Sequence, residues 1–406
     1  MSKRNTLCAI DVGTTKVCTI VAEVNDGDLI RVAGVGLTQS TGLHKGLVVN
    51  INEAKASIRE SVRKAEHASG YKVESAYVGV TGRHISARNN RGVVAISRND
   101  RLVRSDDLKR VLQTAQNVNL SNDERLLHLI PRGYAIDGQE GVRNPVGMYG
   151  FRLDVETHVI TAAVSSVQNL VKCIRAVGVD IDDLVFEPLA SSEAVLSDDE
   201  KEAGVILADI GGGTTDISVF KDGSIWHSAI IPVAGYQFTR DIAIGLGLPF
   251  EVAEEMKRKY GSVMPVYESG AKGSDTIAQN GHSISYQGLC DVIRARVEEL
   301  IRLIMLELPR KEMPALVPAG LVLTGGSSNL SGLDVLGRDI TRMPVRIGTP
   351  VSIHGIAEVL QDPAYATSVG LLLWGLKPKS APSWKTSMFG TNLRSLVSRI
   401  KRFFGN

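Results

Sequence analysis

Cysteines are few and scattered in this sequence. The chain has four cysteines among 406 residues, and no two of them stand in a CxxC pair. A structural zinc site or a disulfide framework typically uses paired or closely spaced cysteines, so the spacing argues against both. This usage of cysteine is typical of a chain that folds in a reducing cytosol.

Long apolar runs are missing as well. No stretch reaches the roughly 18 apolar residues of a membrane-spanning helix, although 43% of the residues are hydrophobic. Asp11 interrupts the first apolar stretch, so no secretory signal peptide is expected. Proline is scarce, with 14 prolines against 40 glycines, which indicates that many glycines serve tight loops in a folded chain.

Acidic residues are missing from one part of the chain. Residues 377–406 contain seven lysines or arginines and no Asp or Glu, while the whole chain has a net charge of only +2. The remainder is therefore slightly acidic, which is unlike a general nucleic-acid binder, and we expect no nucleic-acid partner. The basic stretch is suited to a membrane surface or an acidic partner.

A strand–turn–strand pattern occurs twice in the chain, which is long enough for two or more domains at ~100–200 residues each. Residues 7–24 predict two strands joined by a Gly-Thr-Thr turn, and Asp11 lies near the end of the first strand. Residues 204–220 repeat this arrangement around a Gly-Gly-Gly-Thr-Thr turn, with Asp209 in the place of Asp11. The self-similarity predicts two related halves that contribute one loop each.

The two turns have the chemistry of a phosphate site. Glycines and small hydroxyl residues expose backbone N–H groups to phosphate oxygens, and two matched loops are more specific than one. Asp11 and Asp209 can hold Mg²⁺ through water, because Mg²⁺ prefers oxygen ligands and keeps several waters. Two unrelated hairpins are the alternative for the loops, and a solvated surface lysine is the alternative for Lys16. The predicted phosphate-binding residues are Gly13, Thr14, Thr15, Lys16, Gly211, Gly212, Gly213, Thr214 and Thr215.

A third loop follows another predicted buried strand. Its sequence, Leu-Thr-Gly-Gly-Ser-Ser at 323–328, allows a flat base to approach the backbone closely. On a predicted helix upstream, Glu254 and Lys257 share a face at i, i+3, from which they can reach ribose hydroxyls. An ordinary surface ion pair is the alternative for these two side chains. The predicted contacts of base and ribose are Gly235, Glu254, Lys257, Gly325, Gly326 and Ser327.

The three loops resemble those of the actin, Hsp70 and sugar-kinase superfamily of ATPases. The segments FEPLASS at 186–192 and ATSVGL at 366–371 are similar to the two connecting segments of that superfamily. A narrower resemblance lies in the middle of the chain, at 82–96, 127–137 and 144–147. These stretches closely resemble FtsA, a family of bacterial cell-division proteins, and the resemblance extends over essentially the whole chain.

The resemblance implies a two-lobed, actin-like α/β fold of the ribonuclease H-like ATPase class. It adds a small inserted α+β domain and an amphipathic helix near residue 400. The implied parts are subdomain 1A at 1–83 and 163–203, subdomain 1C at 84–162, subdomain 2A at 204–242, subdomain 2B at 243–312, the rest of 2A with the closing helix of 1A at 313–376, a flexible linker at 377–391 and a membrane-targeting helix at 392–404.

The resemblance also implies a function. Members of the family bind ATP with Mg²⁺, polymerise on the inner membrane, and anchor the tubulin-like division protein FtsZ, whose C-terminal tail docks on subdomain 2B. Arg296, on a predicted helix at 289–308, matches a family position linked to that docking, and a surface ion pair with a neighbouring glutamate is the alternative. The expected location is the cytoplasmic face of the cell membrane at the division site, where later division proteins are further partners.

Hydrolysis of ATP is expected to be slow at most, with ATP acting chiefly as a switch. In actin relatives a residue of the first connecting segment positions the attacking water, and Glu187 occupies that place, with Asp216 as a second candidate. A structural role for Glu187 before Pro188 is the alternative.

Two rival functions are open to the same fold. One is a sugar-type small-molecule kinase, but the sequence marks no substrate pocket for it. The other is another actin-like membrane-assembly ATPase, and the resemblance of the central stretches argues against it.

Residues 392–404 predict a helix that lies in a membrane interface. At 100° per residue, six apolar side chains fall within an arc of about 120°, and the cations lie outside it. A helix packed on the protein's own body is the alternative, which the polar linker and the density of cations disfavour. The apolar face consists of Leu393, Leu396, Val397, Ile400, Phe403 and Phe404, and the cations are Arg394, Arg399, Lys401 and Arg402.

Overall fold

The structure of the chain is a computed structural model, and it describes residues 5–25, 29–116, 120–264, 276–279, 281–309, 317–351, 353–355 and 358–377. The predicted linker beyond Lys377 and the predicted membrane helix at 392–404 lie outside the described residues. Within the described part of the chain, no helix is both long enough and apolar enough to cross a membrane.

Strands dominate the first part of each half of the chain. In chain order they are β1 (Asn5–Val12), β2 (Lys16–Asn25), β3 (Leu29–Gln39), β4 (Leu43–His44), β5 (Leu47–Val48), β6 (Ser75–Val80), β7 (Ile85–Ala95), β8 (Glu124–Ile136), β9 (Gln139–Val142), β10 (Arg152–Ala163), β11 (Asp180–Phe186), β12 (Val205–Ile210), β13 (Thr215–Lys221), β14 (Ser224–Ile231), β15 (Thr276–Gln279), β16 (His282–Ser285), β17 (Leu321–Thr324), β18 (Val345–Ile347) and β19 (His354–Gly355).

Helices connect and cover these strands. In chain order they are α1 (Ile51–Ser69), α2 (Ser105–Gln116), α3 (Val164–Arg175), α4 (Glu187–Val195), α5 (Asp198–Ala203), α6 (Gly235–Leu246), α7 (Phe250–Tyr260), α8 (Tyr286–Leu306), α9 (Leu333–Thr341) and α10 (Ala366–Leu376), with short 3₁₀ turns at Gly326–Asn329, Glu358–Gln361 and Pro363–Tyr365.

The first lobe is built on a mixed sheet. Its described strands lie in the order β11-β6-β1-β2-β3-β19, in which β1 pairs antiparallel with β2 and parallel with β6. Helix α1 lies on β3 at Gly36, where a side chain would overlap the Ser61 carbonyl group. The Ser61 hydroxyl donates to the Gly36 carbonyl oxygen at 2.8 Å, so the helix and the strand are joined by packing and by a buried hydrogen bond.

The second lobe repeats that plan. Its described strands lie in the order β14-β13-β12-β17-β18, in which β12 pairs antiparallel with β13 and parallel with β17. Helices α6, α7, α8 and α9 share one buried apolar cluster with this sheet. The predicted repeat of strand, turn and strand is confirmed, because Asp11 pairs with Cys18 across the first turn and Asp209 with Asp216 across the second.

The chain between β6 and α3 forms a third sheet with its own small core. The order is β7-β10-β8-β9, and α2 packs on it through Val111 and Ala115. This inserted unit also contacts the second lobe, since the Ser224 hydroxyl donates to the Pro131 carbonyl oxygen at 2.8 Å and the Asn89 amide donates to the Trp226 carbonyl oxygen at 3.2 Å. The insert is thus docked on β14, the edge strand of the second sheet.

Helices α4 and α10 lie together where the two main sheets approach each other. They touch backbone to backbone, because Gly370 of α10 faces the Ala190 carbonyl of α4 with no room for a side chain between them. Most residues of both helices are buried, which is why neither helix shows the one-sided apolar pattern of a surface helix. This contact fixes the position of α10 along the axis of α4.

We expect Gly370→Ala to destabilise the protein by on the order of 1–3 kcal/mol, because the added methyl group must separate two buried helices. Thermal or urea unfolding would measure the change. The matched control is Gly133→Ala, since a Cβ at Gly133 meets no atom within 4 Å. Equal stability of the two variants would contradict the tight contact described here.

Candidate functional site between the two lobes

Four carboxyl groups are buried at the place where the lobes meet. Asp11 and Asp209 are the last residues but one of β1 and β12, one from each half of the repeat. Asp216 is the second residue of β13, and Glu187 is the first of α4. All four side chains are buried. Gly79 of β6 provides the space for Glu187, because a Cβ there would lie 3.1 Å from the Glu187 Cγ atom.

Burial makes ionisation of these groups costly. It raises the pKa of Asp209 to about 6 and, with help from the charge of Asp209, the pKa of Asp216 to about 8. The pKa of Glu187 is raised well above its ordinary value by burial first, and then by the charges of Asp11, Asp216 and Asp209. Burial likewise raises the pKa of Asp11. The protein alone therefore favours protons on part of this cluster at neutral pH.

Hydroxyl groups hold three of the carboxyls in place. Ser368 donates to Asp11 Oδ2 at 2.7 Å, and its neighbour Thr367 donates to Asp209 Oδ2 at 3.1 Å. Thr81, which follows β6 in the first lobe, donates to Asp216 Oδ2 at 2.7 Å and so bridges the lobes. The other oxygen of Asp216, Oδ1, is buried and has no hydrogen-bond partner among the described residues.

The two predicted phosphate loops face each other across the junction. Each makes the same tight turn, since Gly13 N donates to Lys16 O at 3.0 Å and Gly211 N donates to Thr214 O at 2.9 Å. A side chain on Gly212 would strike Thr15, and one on Gly213 would strike Thr14. Thr214 is buried beside them. Glycine is thus required for the close approach of the loops.

Two of the predicted phosphate contacts have other partners. The Thr215 hydroxyl donates to the Val233 carbonyl oxygen at 2.7 Å, so it supports the second loop from behind. Lys16 Nζ donates to the Ala364 carbonyl oxygen and lies 3.6 Å from the centre of the Tyr365 ring. Burial lowers the pKa of Lys16, while the nearby Asp11 charge raises it. The alternative of a freely solvated lysine is wrong, because Lys16 is held against the segment that precedes α10.

The third loop lies against the second phosphate loop. Gly325 has φ +85°, and a side chain there would overlap Asp209 Oδ1. Gly326 follows it and opens the 3₁₀ turn Gly326–Asn329. Ser327 Oγ donates to the Gly211 carbonyl oxygen at 2.8 Å. The structure therefore brings the third loop and the second phosphate loop together.

Glu254 and Lys257 meet the third loop from α7. Lys257 Nζ donates to Glu254 Oε2 at 2.6 Å and to the carbonyl oxygen of Gly235 at 3.1 Å. A Cβ on Gly235 would lie 2.6 Å from Ser327 Oγ, so these predicted base and ribose contacts are neighbours. The pair is an ion pair, but the Lys257 side chain is only 12% exposed and is tied to the junction backbone.

Arg296 lies on α8, away from the junction. Its guanidinium group donates to Asp241 of α6 and, at 2.5 Å, to Glu299 Oε2 on its own helix. These hydrogen bonds raise the pKa of Arg296, with Asp241 the larger cause. The described residues thus hold Arg296 in the ion pair named as the alternative, and the sequence did not indicate Asp241. The ten predicted membrane residues lie outside the described part of the chain.

Sequence reasoning missed the hydroxyl residues of this site. Thr81 directly follows a buried strand, and Thr367 and Ser368 lie in a segment recognised only as a connecting one. Their partners are distant along the chain, so no local pattern could have assigned them. A Thr or Ser next to a buried strand end or at a helix start near a predicted aspartate is the one available signal.

The residues present fit Mg²⁺ and a phosphate chain. The donors are carboxylate and hydroxyl oxygens, glycine loops leave backbone groups open, and Asp216 Oδ1 is buried without a partner among the described residues. In the same part of the chain, no three or more His, Cys, Asp or Glu side chains form a cage for a metal ion. Mg²⁺ typically takes one or two carboxylates and completes its shell with water and phosphate oxygens.

Two family models match the chain. The model described as "Cell division protein FtsA" matches residues 206–370, and "SHS2 domain inserted in FTSA" matches residues 82–161, where the inserted sheet lies. Among curated relatives, the cell division protein FtsA of Pseudomonas aeruginosa is 42% identical over 98% of this chain and 97% of its own length. That of Neisseria meningitidis is 37% identical over 98% of both, and that of Escherichia coli is 36% identical over 92% and 90%.

Solved structures show the same fold. A PilM–PilN type IV pilus biogenesis complex matches with a TM-score of 0.66 at 18% identity, covering 92% of this chain and 100% of that one. MreB5 of Spiroplasma citri, solved with ADP, matches with a TM-score of 0.52 at 14% identity, covering 98% of both chains. The same protein solved with AMPPNP also scores 0.52. The predicted two-lobed actin-like fold is confirmed.

The raised pKa of Asp216, about 8, predicts a pH dependence of stability. Between pH 6 and 8 the folded, nucleotide-free protein keeps a proton on Asp216 that the unfolded chain releases, so the free energy of unfolding falls as the pH rises. In Asp216→Asn this fall should be smaller by on the order of 1 kcal/mol.

Urea unfolding at pH 6, 7 and 8 would measure the difference. The control is Asp291→Asn, which changes an exposed carboxyl on α8. If the wild type, the control and Asp216→Asn lost stability at the same rate with rising pH, the burial cost assigned to Asp216 would be wrong.

Proposed function

The chain belongs to the FtsA family of bacterial cell-division proteins, and from that premise we propose that it is an ATP-binding, polymerising, actin-like protein. It tethers an FtsZ ring to the inner face of the cytoplasmic membrane during cell division. The observation that carries the proposal is the pair of matched glycine loops, headed by Asp11 and Asp209, that face each other between the lobes. A ligand bound there contacts both lobes at once.

ATP is the proposed ligand of the junction, with Mg²⁺ as the cation that its phosphates carry. The turns at Gly13 and Gly211 would hold the phosphates, Asp11 and Asp209 would bind the ion through water, and Lys257 and Glu254 would lie near the ribose. Mg²⁺ supplies the positive charge that the buried carboxyl cluster lacks. Fold neighbours solved with ADP and AMPPNP support a nucleotide at this place.

Hydrolysis would be slow in this site. The Glu187 carboxyl group is buried, and in the ligand-free protein its raised pKa favours the protonated form, which can orient a water by donating a hydrogen bond but cannot accept its proton. Asp216, with its pKa raised to about 8, is in the same state at neutral pH. ATP is therefore proposed as a switch that sets the relation of the two lobes.

Self-association is assigned to the inserted sheet, subdomain 1C at about 84–162. One side of this unit is docked on β14, and elsewhere it presents Tyr149 and Phe151, whose side chains are 74% and 63% exposed. Exposed aromatic side chains of this kind are typical of contact surfaces. Their position supports contacts between copies of the chain, and later division proteins are further candidates for this surface.

The C-terminal tail of FtsZ is assigned to subdomain 2B and its border with α6. Arg296 is held there by Asp241 and by Glu299, and Ile244, one turn after Asp241 on α6, is 70% exposed. A cation beside an exposed apolar side chain suits a peptide that carries both acidic and apolar residues. An incoming acidic residue would exchange with Glu299, whose side chain is 53% exposed.

The membrane contact is assigned to residues 392–404, which lie outside the described residues. The support is the sequence pattern of an apolar face flanked by cations. Attachment would be reversible for one molecule and firm for a filament that presents many such helices.

A sugar-type kinase on the same fold is not favoured, because the relatives that match along 92% to 98% of this chain are cell-division proteins.

Loss of either loop aspartate should weaken binding of ATP with Mg²⁺. We expect Asp11→Ala and Asp209→Ala each to lose on the order of tenfold or more in affinity, because each removes one of the two carboxylates that hold the ion through its water molecules. Titration calorimetry measures this, with Asp291→Ala on the exposed face of α8 as the control. Normal affinity in both loop variants would refute the assignment of the junction.

A charge in the apolar arc should release the protein from membranes. We expect Ile400→Glu to abolish co-sedimentation with anionic vesicles, because it places a carboxylate in the middle of the apolar face. Replacing Arg399 and Lys401 together by Glu should abolish it mainly at low salt, where the electrostatic contribution is largest.

The control for both tail variants is a chain that ends at Thr391. If that shortened chain sedimented with the vesicles as well as the full chain does, the helix would be packed on the protein itself, and the tether would lose its support.

Filament formation with ATP on a lipid monolayer tests membrane binding, nucleotide binding and polymerisation in one experiment.

A further inference from the structure

Two neighbouring hydroxyl groups on one helix contact the carboxylates of two different lobes. Thr367 and Ser368 occupy the first turn of α10, and both are buried. Thr367 donates to Oδ2 of Asp209 at 3.1 Å, and Ser368 donates to Oδ2 of Asp11 at 2.7 Å. The two aspartates therefore share a support, although they belong to separate sheets.

Each carboxylate turns its other oxygen toward a glycine loop. Oδ1 of Asp209 lies so close to Gly325 that a side chain there would overlap it, and Oδ1 of Asp11 lies 4.0 Å from where a Cβ of Gly13 would be. The Oδ2 atoms face the helix, and the Oδ1 atoms face the loops. The hydroxyl groups thus select which oxygen of each aspartate is presented to the junction.

The hydroxyls are not used to cap their own helix. The N-cap position of α10 is Tyr365, and no side-chain hydrogen bond is made there. Gly370, one turn further on, is pressed against the Ala190 carbonyl of α4, so α10 cannot slide to change the two contacts. A buried carboxylate oxygen without a hydrogen-bond donor is costly. Rotating either aspartate away from its hydroxyl would leave such an oxygen, so the hydroxyls hold the two carboxylates in their orientation.

We propose that Thr367 and Ser368 are positioning residues that orient the carboxylates of Asp209 and Asp11 toward a Mg²⁺ ion bound with the nucleotide. The inference rests on the proposed function, because it presupposes that metal and nucleotide enter this junction. Groups that hydrogen-bond a metal's ligands fix the direction of those ligands, and their removal typically costs 10- to 100-fold in metal affinity. Because Asp11 and Asp209 would reach the ion through water, we expect the lower end of that range here. The hydroxyls act on the metal through the aspartates and not by contact with the nucleotide.

The test compares ATP affinity with Mg²⁺ and with EDTA, by titration calorimetry on the full chain. We expect Thr367→Val, Ser368→Ala and the double variant to lose about tenfold or more in the presence of Mg²⁺ and to change little in EDTA. Thr367→Ser and Ser368→Thr keep a hydroxyl and should restore the Mg²⁺ effect. Ser192→Ala is the matched control, because it removes a buried hydroxyl of α4 that bonds only to Leu189 in its own helix.

Each other result decides the question. An unchanged Mg²⁺ effect in the double variant overturns the inference, and so does an equal loss with Mg²⁺ and with EDTA, which would mean that the hydroxyls merely support the fold. If the wild type bound ATP equally with and without Mg²⁺, the metal in the proposed function would fail, and the inference with it. Should Ser368→Ala fail to fold, Ser368→Cys, a weaker donor of similar shape, carries the same comparison.

Discussion

Repulsion among four buried carboxyl groups is the constraint on which the junction depends. Asp11, Glu187, Asp209 and Asp216 come from different elements. Burial raises the pKa of each, and the charge of neighbouring carboxylates raises it further for Glu187, Asp209 and Asp216. Lys16 is the cation whose charge reaches Asp11 and Asp209. Such a cluster has two low-energy states, one with protons on the carboxyls and one with a cation among them. Exchange between these states ties the occupancy of the site to the geometry of both lobes.

The helix pair α4 and α10 turns that local balance into a property of the whole chain. α4 begins with Glu187, α10 begins next to Thr367 and Ser368, and the contact between Gly370 and Ala190 holds the two helices in one register. Both lobes are thus bound to one buried unit through hydroxyl–carboxylate hydrogen bonds. Interfaces of this kind favour a few discrete arrangements over gradual deformation, because close-packed groups cannot slide. A change of charge at the carboxyls would therefore alter contacts to the sheets of both lobes.

Local patterns made the loops predictable, and tertiary contacts made the rest of the site unpredictable. The aspartates and glycines follow from strand endings and turn requirements that are visible in a dozen residues, and they lie where the repeat placed them. The hydroxyls of Thr81 and Ser368 meet partners 135 and 357 positions away, so their role depends on the fold itself. For the same reason the sequence did not show Asp241 beside Arg296, the Ala364 carbonyl beside Lys16, or the docking of the insert on β14. The repeat predicted two related halves, and the resemblance implied the two-lobed fold and the insert, whereas the place where the insert docks follows from neither.

The same electrostatics favour binding over turnover. Without a ligand in the junction, the raised pKa values of Glu187 and Asp216 favour carboxyls that hold a proton and cannot act as bases. The proposed binding would use the glycine loops, the two aspartates of the loops and the cation that accompanies the phosphates. Entry of that cation would displace protons and relieve the repulsion at once, so it stabilises the occupied junction without requiring the chemical step. A ligand that contacts both lobes would thus hold them in one arrangement for as long as it remains bound.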